Sequence, residues 1–143
     1  MQATYDTDVV AWANEQAALL RSGRFSELDI EHIADEVEDV GKSEQRELVS
    51  RMAILLAHLI KWKFQPALQC RSWLNTIKTQ RILIKKRLTK MPSLQPMLHD
   101  PEWIEEMWAD GSMLAQKETG LSDFPETCIW STEQIMDAEF LPE

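Results

Sequence analysis

The sequence predicts an all-α protein, a single compact bundle of four to six helices over residues 1–143 with a long central helix at about 43–65. Three observations carry this. No run alternates apolar and polar residues with period two over five or more positions, so strands have no support. Apolar residues instead recur at spacings of three and four along most of the chain. Three of the four glycines, Gly23, Gly41 and Gly120, stand where helical periodicity stops. At 143 residues and 44% apolar content the chain has material for one core.

The first helix is expected over residues 7–22, burying Val9, Trp12, Ala13, Ala17 and Leu20, and ending at Gly23. The second opens on Ser26 as N-cap with Asp29 three residues on, a variant of the capping box. It buries Ile30, Ile33, Ala34 and Val37 and stops at Gly41. Ser43 caps the third helix, where Leu48, Met52, Leu55, Leu56, Leu59 and Trp62 form one broad stripe. Pro66 lacks an amide hydrogen and ends it. The fourth helix starts after Ser72 and runs to about Lys90, with Trp73, Ile77, Ile84 and Leu88 on one face. Ile82 and Leu83 point away from that face, which marks them as a candidate subunit interface.

A short helical turn is expected over 93–99, before Asp100-Pro101, an acid cap followed by proline at the first helical position. The helix it starts runs to about Thr119 and buries Trp103, Ile104, Met107, Trp108, Leu114 and Ala115. Gly111 stands inside it, at a cost of up to ~1 kcal/mol relative to alanine. Gly120 ends the helix, residues 121–130 are irregular, and Ser131 with Gln134 forms a capping box for a last short helix.

Charge falls in three blocks. Residues 1–47 hold twelve acids and four bases, residues 48–99 ten bases and no acid, and residues 100–143 twelve acids and one base. The net charge of −9 and pI near 4.8 argue against a protein built only to coat nucleic acid. The expected use of the basic block is internal, with complementary faces disfavouring wrong helix pairings. The competing use is an anion site over 61–90, in which Trp62, Phe64 and Trp73 stack bases while Lys61, Lys63, Arg71 and Lys78 meet phosphates. That makes a nucleic-acid-associated regulator the alternative reading, although the acidic flanks would repel a polyanion.

Cys70 and Cys128 make no disulfide framework and read as free, half-buried thiols of a reducing cytosol. Residues 1–8 have no apolar run, so no signal peptide is expected, and 54–60 is too short to span a bilayer. His58 lies between Leu55 and Trp62 at the edge of the apolar stripe, with Arg51 two turns before it. Such a histidine is either a packed donor to a carbonyl or a proton carrier in a site. Gln80 and Arg81 fall on or beside the core face of the fourth helix and need partners, for which Glu36 or Glu44 is available. His58, Trp62, Gln65, Trp73, Gln80 and Arg81 are therefore the candidate ligand or interaction pocket, and an enzyme or small-ligand binder around His58 and Arg81 is a further alternative. His32 and Glu36, four apart, have metal-ligand spacing but point away from Ile30, Ala34 and Val37. No Glu-x-x-His pattern repeats on two helices, so no metal, cofactor or catalytic set is expected.

The run His58-Leu-Ile-Lys-Trp62-Lys-Phe-Gln65-Pro66, then Arg71-Ser72-Trp73, Thr76-Ile77 and Gln80-Arg81, resembles the bacterial family called domain of unknown function 29. Tyr5-Asp6, Trp12, Glu15-Gln16, Gly23-Arg24-Phe25 and the acidic stretch 34–44 are similar to its opening. Glu118-Thr-Gly-Leu, Phe124-Pro125, Glu133-Gln134 and 140–142 resemble its tail. The chain departs from the usual pattern at Cys70, Ala67 and His32. The resemblance implies a small helical bacterial protein and brings no catalytic residues with it. The reading is a cytoplasmic, non-enzymatic binding or interaction module whose partner is another protein or a second copy, without membrane contact.

Overall fold

A computed structural model describes residues 4–143, and every regular element among them is helical. Five α-helices follow in order: α1 (Val9–Arg21), α2 (Ile30–Phe64), α3 (Arg71–Lys90), α4 (Pro101–Thr119) and α5 (Thr132–Met136). Short 3-10 segments occupy Phe25–Glu27, Pro66–Leu68 and Pro92–His99. The chain divides into two compact units, Met1–Glu44 and Gln45–Glu143, and the division falls within α2.

In the first unit Asp8 caps α1, its carboxylate accepting from Ala11 N. Gly23, at φ 75°, takes the left-handed turn that ends the helix. Ser26 does not cap the next helix, as the sequence suggested, because it lies inside the 3-10 turn. Asp29 takes that place, with Oδ1 at 3.5 Å from His32 N, and its own amide donates to Oε1 of the buried Gln16 (2.8 Å). Gly41 does not stop the helix either. It adopts no positive φ, and α2 runs through it and through Ser43 without interruption. The expected second and third helices are one.

The apolar faces assigned to these two helices are correct as stripes but not as core. Trp12, Gln16 and Leu19 are buried on α1, whereas Val9 and Leu20 are exposed. On α2, Ile30, Val37 and Val40 are 67–69% exposed.

The second unit has the core. Leu48, Met52, Leu55, Leu56, Leu59 and Ile60 from α2 are fully buried against Ile77 and Ile84 of α3, Trp103, Met107, Trp108 and Ala115 of α4, and Ile135 of α5. Each fully buried large apolar side chain contributes ~1.5–3 kcal/mol over exposure. Gly111 explains its place here: a Cβ on it would sit 2.7 Å from Leu56 Cβ and 3.3 Å from both Ala53 O and Ala57 N. It is the point at which α4 approaches the backbone of α2. Pro66 ends α2, Asp100 caps α4 through Glu102 N, and Gly120 at φ 75° ends α4.

The irregular segment after α4 is tied down by specific bonds. Trp108 Nε1 donates to Pro125 O (2.8 Å), and Cys128 N donates to the Glu105 carboxylate. Trp130 meets Trp108 edge-on with centroids 5.4 Å apart. Both halves of the Ser131–Gln134 capping box form, and Thr132 Oγ1 donates to Leu98 O. Cys128 is half-buried, its thiol pushed up by burial, while Cys70 is exposed at the N-cap of α3 rather than half-buried.

Candidate functional site

Within the second unit, the sequence-selected residues fall in three places. His58 and Trp73 belong to the end where α2, α3 and α4 meet. Lys61 Nζ, on a buried side chain, donates to Glu118 Oε2 (2.6 Å) and lies 4.8 Å from the Trp73 ring centroid. His58 Nδ1 bonds to Ile54 O one turn back in its own helix (2.9 Å). Burial holds the His58 imidazole below its ordinary pKa and Lys61 adds to this, while the Ile54 carbonyl and Glu118 oppose it. Trp62 packs on the core and its carbonyl accepts from Gln69 Nε2 (2.8 Å). Gln65 is half-buried at the end of α2, where its amide donates to Lys61 O.

Gln80 lies further along α3, and Arg51 Nη1 donates to its Oε1 at 3.5 Å. It opens on a shallow cleft of about 510 Å³ shared with Arg71, Ser72, Asn75, Thr76 and Thr79. Arg81, only 2% exposed, reaches the last helix: Nε donates to Ile135 O (2.8 Å) and Nη2 to Gln134 O (3.5 Å). These are carbonyls of the last turn of α5, whose negative end suits a cation. Burial lowers the guanidinium pKa and Asp137 offsets this in part. Arg81 also borders a second cleft, of about 260 Å³, with Lys78, Ile82, Lys85, Ala138 and Glu139. Gln80 and Arg81 therefore open on different clefts, and the partner of Arg81 is a pair of carbonyls rather than Glu36 or Glu44.

The His32–Glu36 pair has other partners in the first unit. His32 Nδ1 is 2.7 Å from Asp29 Oδ2, and Tyr5 O–H donates to Glu36 Oε1 (2.5 Å). Tyr5 stacks on His32 (4.2 Å between centroids) and meets Trp12 edge-on, while Trp12 Nε1 donates to Asp29 Oδ2 (3.0 Å). Among the described residues no group of three or more His, Cys, Asp or Glu is placed to hold a metal ion.

The basic block divides in two. Arg51 pairs with Glu47 (2.8 Å), Arg87 approaches Glu47 at 3.9 Å, Lys61 pairs with Glu118, and Lys63 Nζ donates to Glu143 O (2.6 Å). Arg71, Lys78, Lys85, Lys86 and Lys90 are exposed and make no ion pair with the described residues. Internal cancellation thus accounts for the α2 bases and Arg87, and leaves the outer face of α3 uncompensated. Ile82, 54% exposed, stands among these cations, while Leu83 is half-buried.

The chain matches the family described as Domain of unknown function DUF29 over residues 4–141. It belongs to that family. No curated protein and no solved structure matches it. The residues that carry the resemblance have definite partners in the structure. Tyr5, Trp12, Gln16 and Glu36 close the first hairpin. Lys61 links α2 to Trp73 of α3 and Glu118 of α4, and Arg81, midway along α3, holds the carbonyls of Gln134 and Ile135 in α5. Among the described residues no helix is long and apolar enough to cross a membrane. The sequence flags parts of the outer face of α3 separately, Ile82 and Leu83 as a subunit interface and Arg71 and Lys78 within an anion site, but does not join them into one surface.

Proposed function

We propose that this DUF29 protein is a non-enzymatic interaction module whose contact surface is the outer face of α3, and that the surface it meets is an acidic protein face. The observation that carries this reading is the row Arg71, Lys78, Lys85, Lys86 and Lys90, which makes no ion pair with the described residues, around the exposed Ile82. Cations that are already solvated lose little on meeting carboxylates, and they steer encounter and register more than they add affinity. An exposed apolar residue among them supplies the desolvated anchor that a charged patch alone lacks.

A protein surface fits better than a nucleic acid, because the aromatics interleaved with the bases are engaged elsewhere. Trp62 and Phe64 pack on the core and Trp73 lies beneath Lys61, so none forms a free stacking platform on this face. Chemistry at His58 and Arg81 has less support, since the first bonds its own helix and the second holds α5.

The test is fluorescence anisotropy with labelled poly-L-glutamate and, in parallel, single-stranded and duplex DNA at low salt. Poly-L-glutamate is expected to bind, to weaken as salt is raised, and to be lost in Lys78→Glu/Lys85→Glu/Lys86→Glu but kept in Arg21→Glu/Arg24→Glu/Arg46→Glu. No binding at low salt, equal loss in both triple variants, or tighter binding of DNA would overturn the reading.

A further inference from the structure

The two helices of the first unit form an apolar surface between them. Ala13, Ala17 and Leu20 of α1 and Ile33, Val37 and Val40 of α2 line a groove of about 270 Å³. These residues recur at spacings of three and four on each helix, so they are the stripes that amphipathic helices normally bury. Yet Val37 is 67% exposed and Val40 69%, with exposed Val10 and Ile30 on the same hairpin. Two stripes of this size on one hairpin are a surface that binds something.

Charge says what. Residues 1–44 hold eleven acids against three bases, Arg21, Arg24 and Lys42. Two of those bases are already tied locally, Arg24 to Glu27 and Lys42 to Glu38. An apolar groove on so acidic a unit selects a cationic amphipathic surface and rejects an acidic one. The same chain displays such a surface: α3 has seven bases and no acid, with Ile82 exposed between Lys78 and Lys85. A groove of about 270 Å³ has room for an isoleucine side chain.

We infer that the occupant of the groove is α3 of a second copy of this chain. Ile82 seats between the stripes near Val37 and Val40, and Lys78, Lys85 and Lys86 meet the surrounding acids. This rests on the reading of α3 as the contact surface and names the acidic face it meets. The contact is heterologous: each copy offers one surface and receives on the other. A net charge of −9 does not oppose such a contact, because it matches opposite blocks rather than like ones.

The test is the solution mass of the full chain by sedimentation equilibrium. The wild type is expected to associate at low salt and to dissociate as salt is raised. Val37→Asp and Ile82→Asp each weaken association on the order of 30-fold, with helicity unchanged by circular dichroism because both side chains are exposed. An equimolar mixture of the two variants regains mass, since the first keeps an intact α3 and the second an intact hairpin. Association that strengthens with salt, persists in Ile82→Asp or fails to return in the mixture overturns the inference. A monomer at low salt that still binds poly-L-glutamate through α3 overturns the self-contact alone. A monomer that also fails to bind poly-L-glutamate overturns both.

Discussion

At the scale of single residues, two glycines inside helices demand opposite outcomes from one substitution. Gly41 is exposed in α2 and a Cβ there meets nothing within 4 Å, so Gly41→Ala gains helix propensity alone. It is expected to stabilise by ~0.5–1 kcal/mol. Gly111→Ala gains the same propensity but drives Cβ against Leu56 and the backbone of Ala53 and Ala57. Overpacking of this kind costs ~1–3 kcal/mol, which exceeds the gain, so the variant is less stable than wild type. Urea unfolding of the two variants checks both signs, and a stabilised Gly111→Ala would refute the close approach. Arg81 is a second residue with a definite expectation. Arg81→Met keeps the volume and removes both donors from the end of α5, at a cost of ~1.5–3 kcal/mol. Protection of the Ile135 and Met136 amides from hydrogen exchange should fall with it, and unchanged protection would show that α5 does not depend on the guanidinium.

The elements show what periodicity conveys and what it does not. The stripes of α2, α3 and α4, the Asp100-Pro101 start and the Ser131–Gln134 box were all legible, since each is a local rule about where apolar groups and caps fall. Gly41 and Ser43 read as a boundary, but neither residue forbids a helix. The apolar run from Leu48 onward anchors α2, and exposed glycine within it costs only ~1 kcal/mol. Burial of Val37 and Leu20 was misread for a different reason: a stripe says which face is apolar, not what covers it. Arg81 was flagged as a group in need of partners, yet its carbonyl partners lie more than fifty residues away and have no pattern in sequence.

The α1–α2 hairpin also carries a pH dependence. The Asp29 hydrogen bond raises the His32 pKa, with nearby Asp6 and Asp35 adding to it and desolvation opposing. A raised histidine contributes in full below pH 6.5 and loses its contribution as pH rises through the folded value. Asp29 is lowered, chiefly by His32, so it contributes above pH 3.8 and loses that as pH falls through its folded value. Tyr5, pushed up to about 12 by Glu36, contributes below pH 10.0 and fades only between the two values. Exchange protection of the Trp12 indole N–H is therefore greatest from pH 3.8 to 6.5 and declines on the neutral side. His32→Gln removes that decline, and an imidazole found to titrate below pH 6.5 in the wild type would contradict the assignment.

For the whole molecule, the distribution of charge decides more than its sum. Acids within the second unit engage Arg51, Lys61 and Arg87. The outer face of α3 is a cationic row with one exposed isoleucine, and the first unit is an acidic hairpin with an apolar groove between its two helices. Isolated surface ion pairs contribute only ~0–1 kcal/mol, so the fold loses little by leaving these cations unpaired, and an interaction role is open to them. The central claim is that this face makes the contact, and its direct test is the backbone amide spectrum of isotopically labelled protein during titration with poly-L-glutamate at low salt. The account predicts shifts concentrated at Lys78, Ile82, Lys85, Lys86 and Lys90. Shifts confined to the neighbourhoods of His58 and Gln65, or an unchanged spectrum, would contradict it.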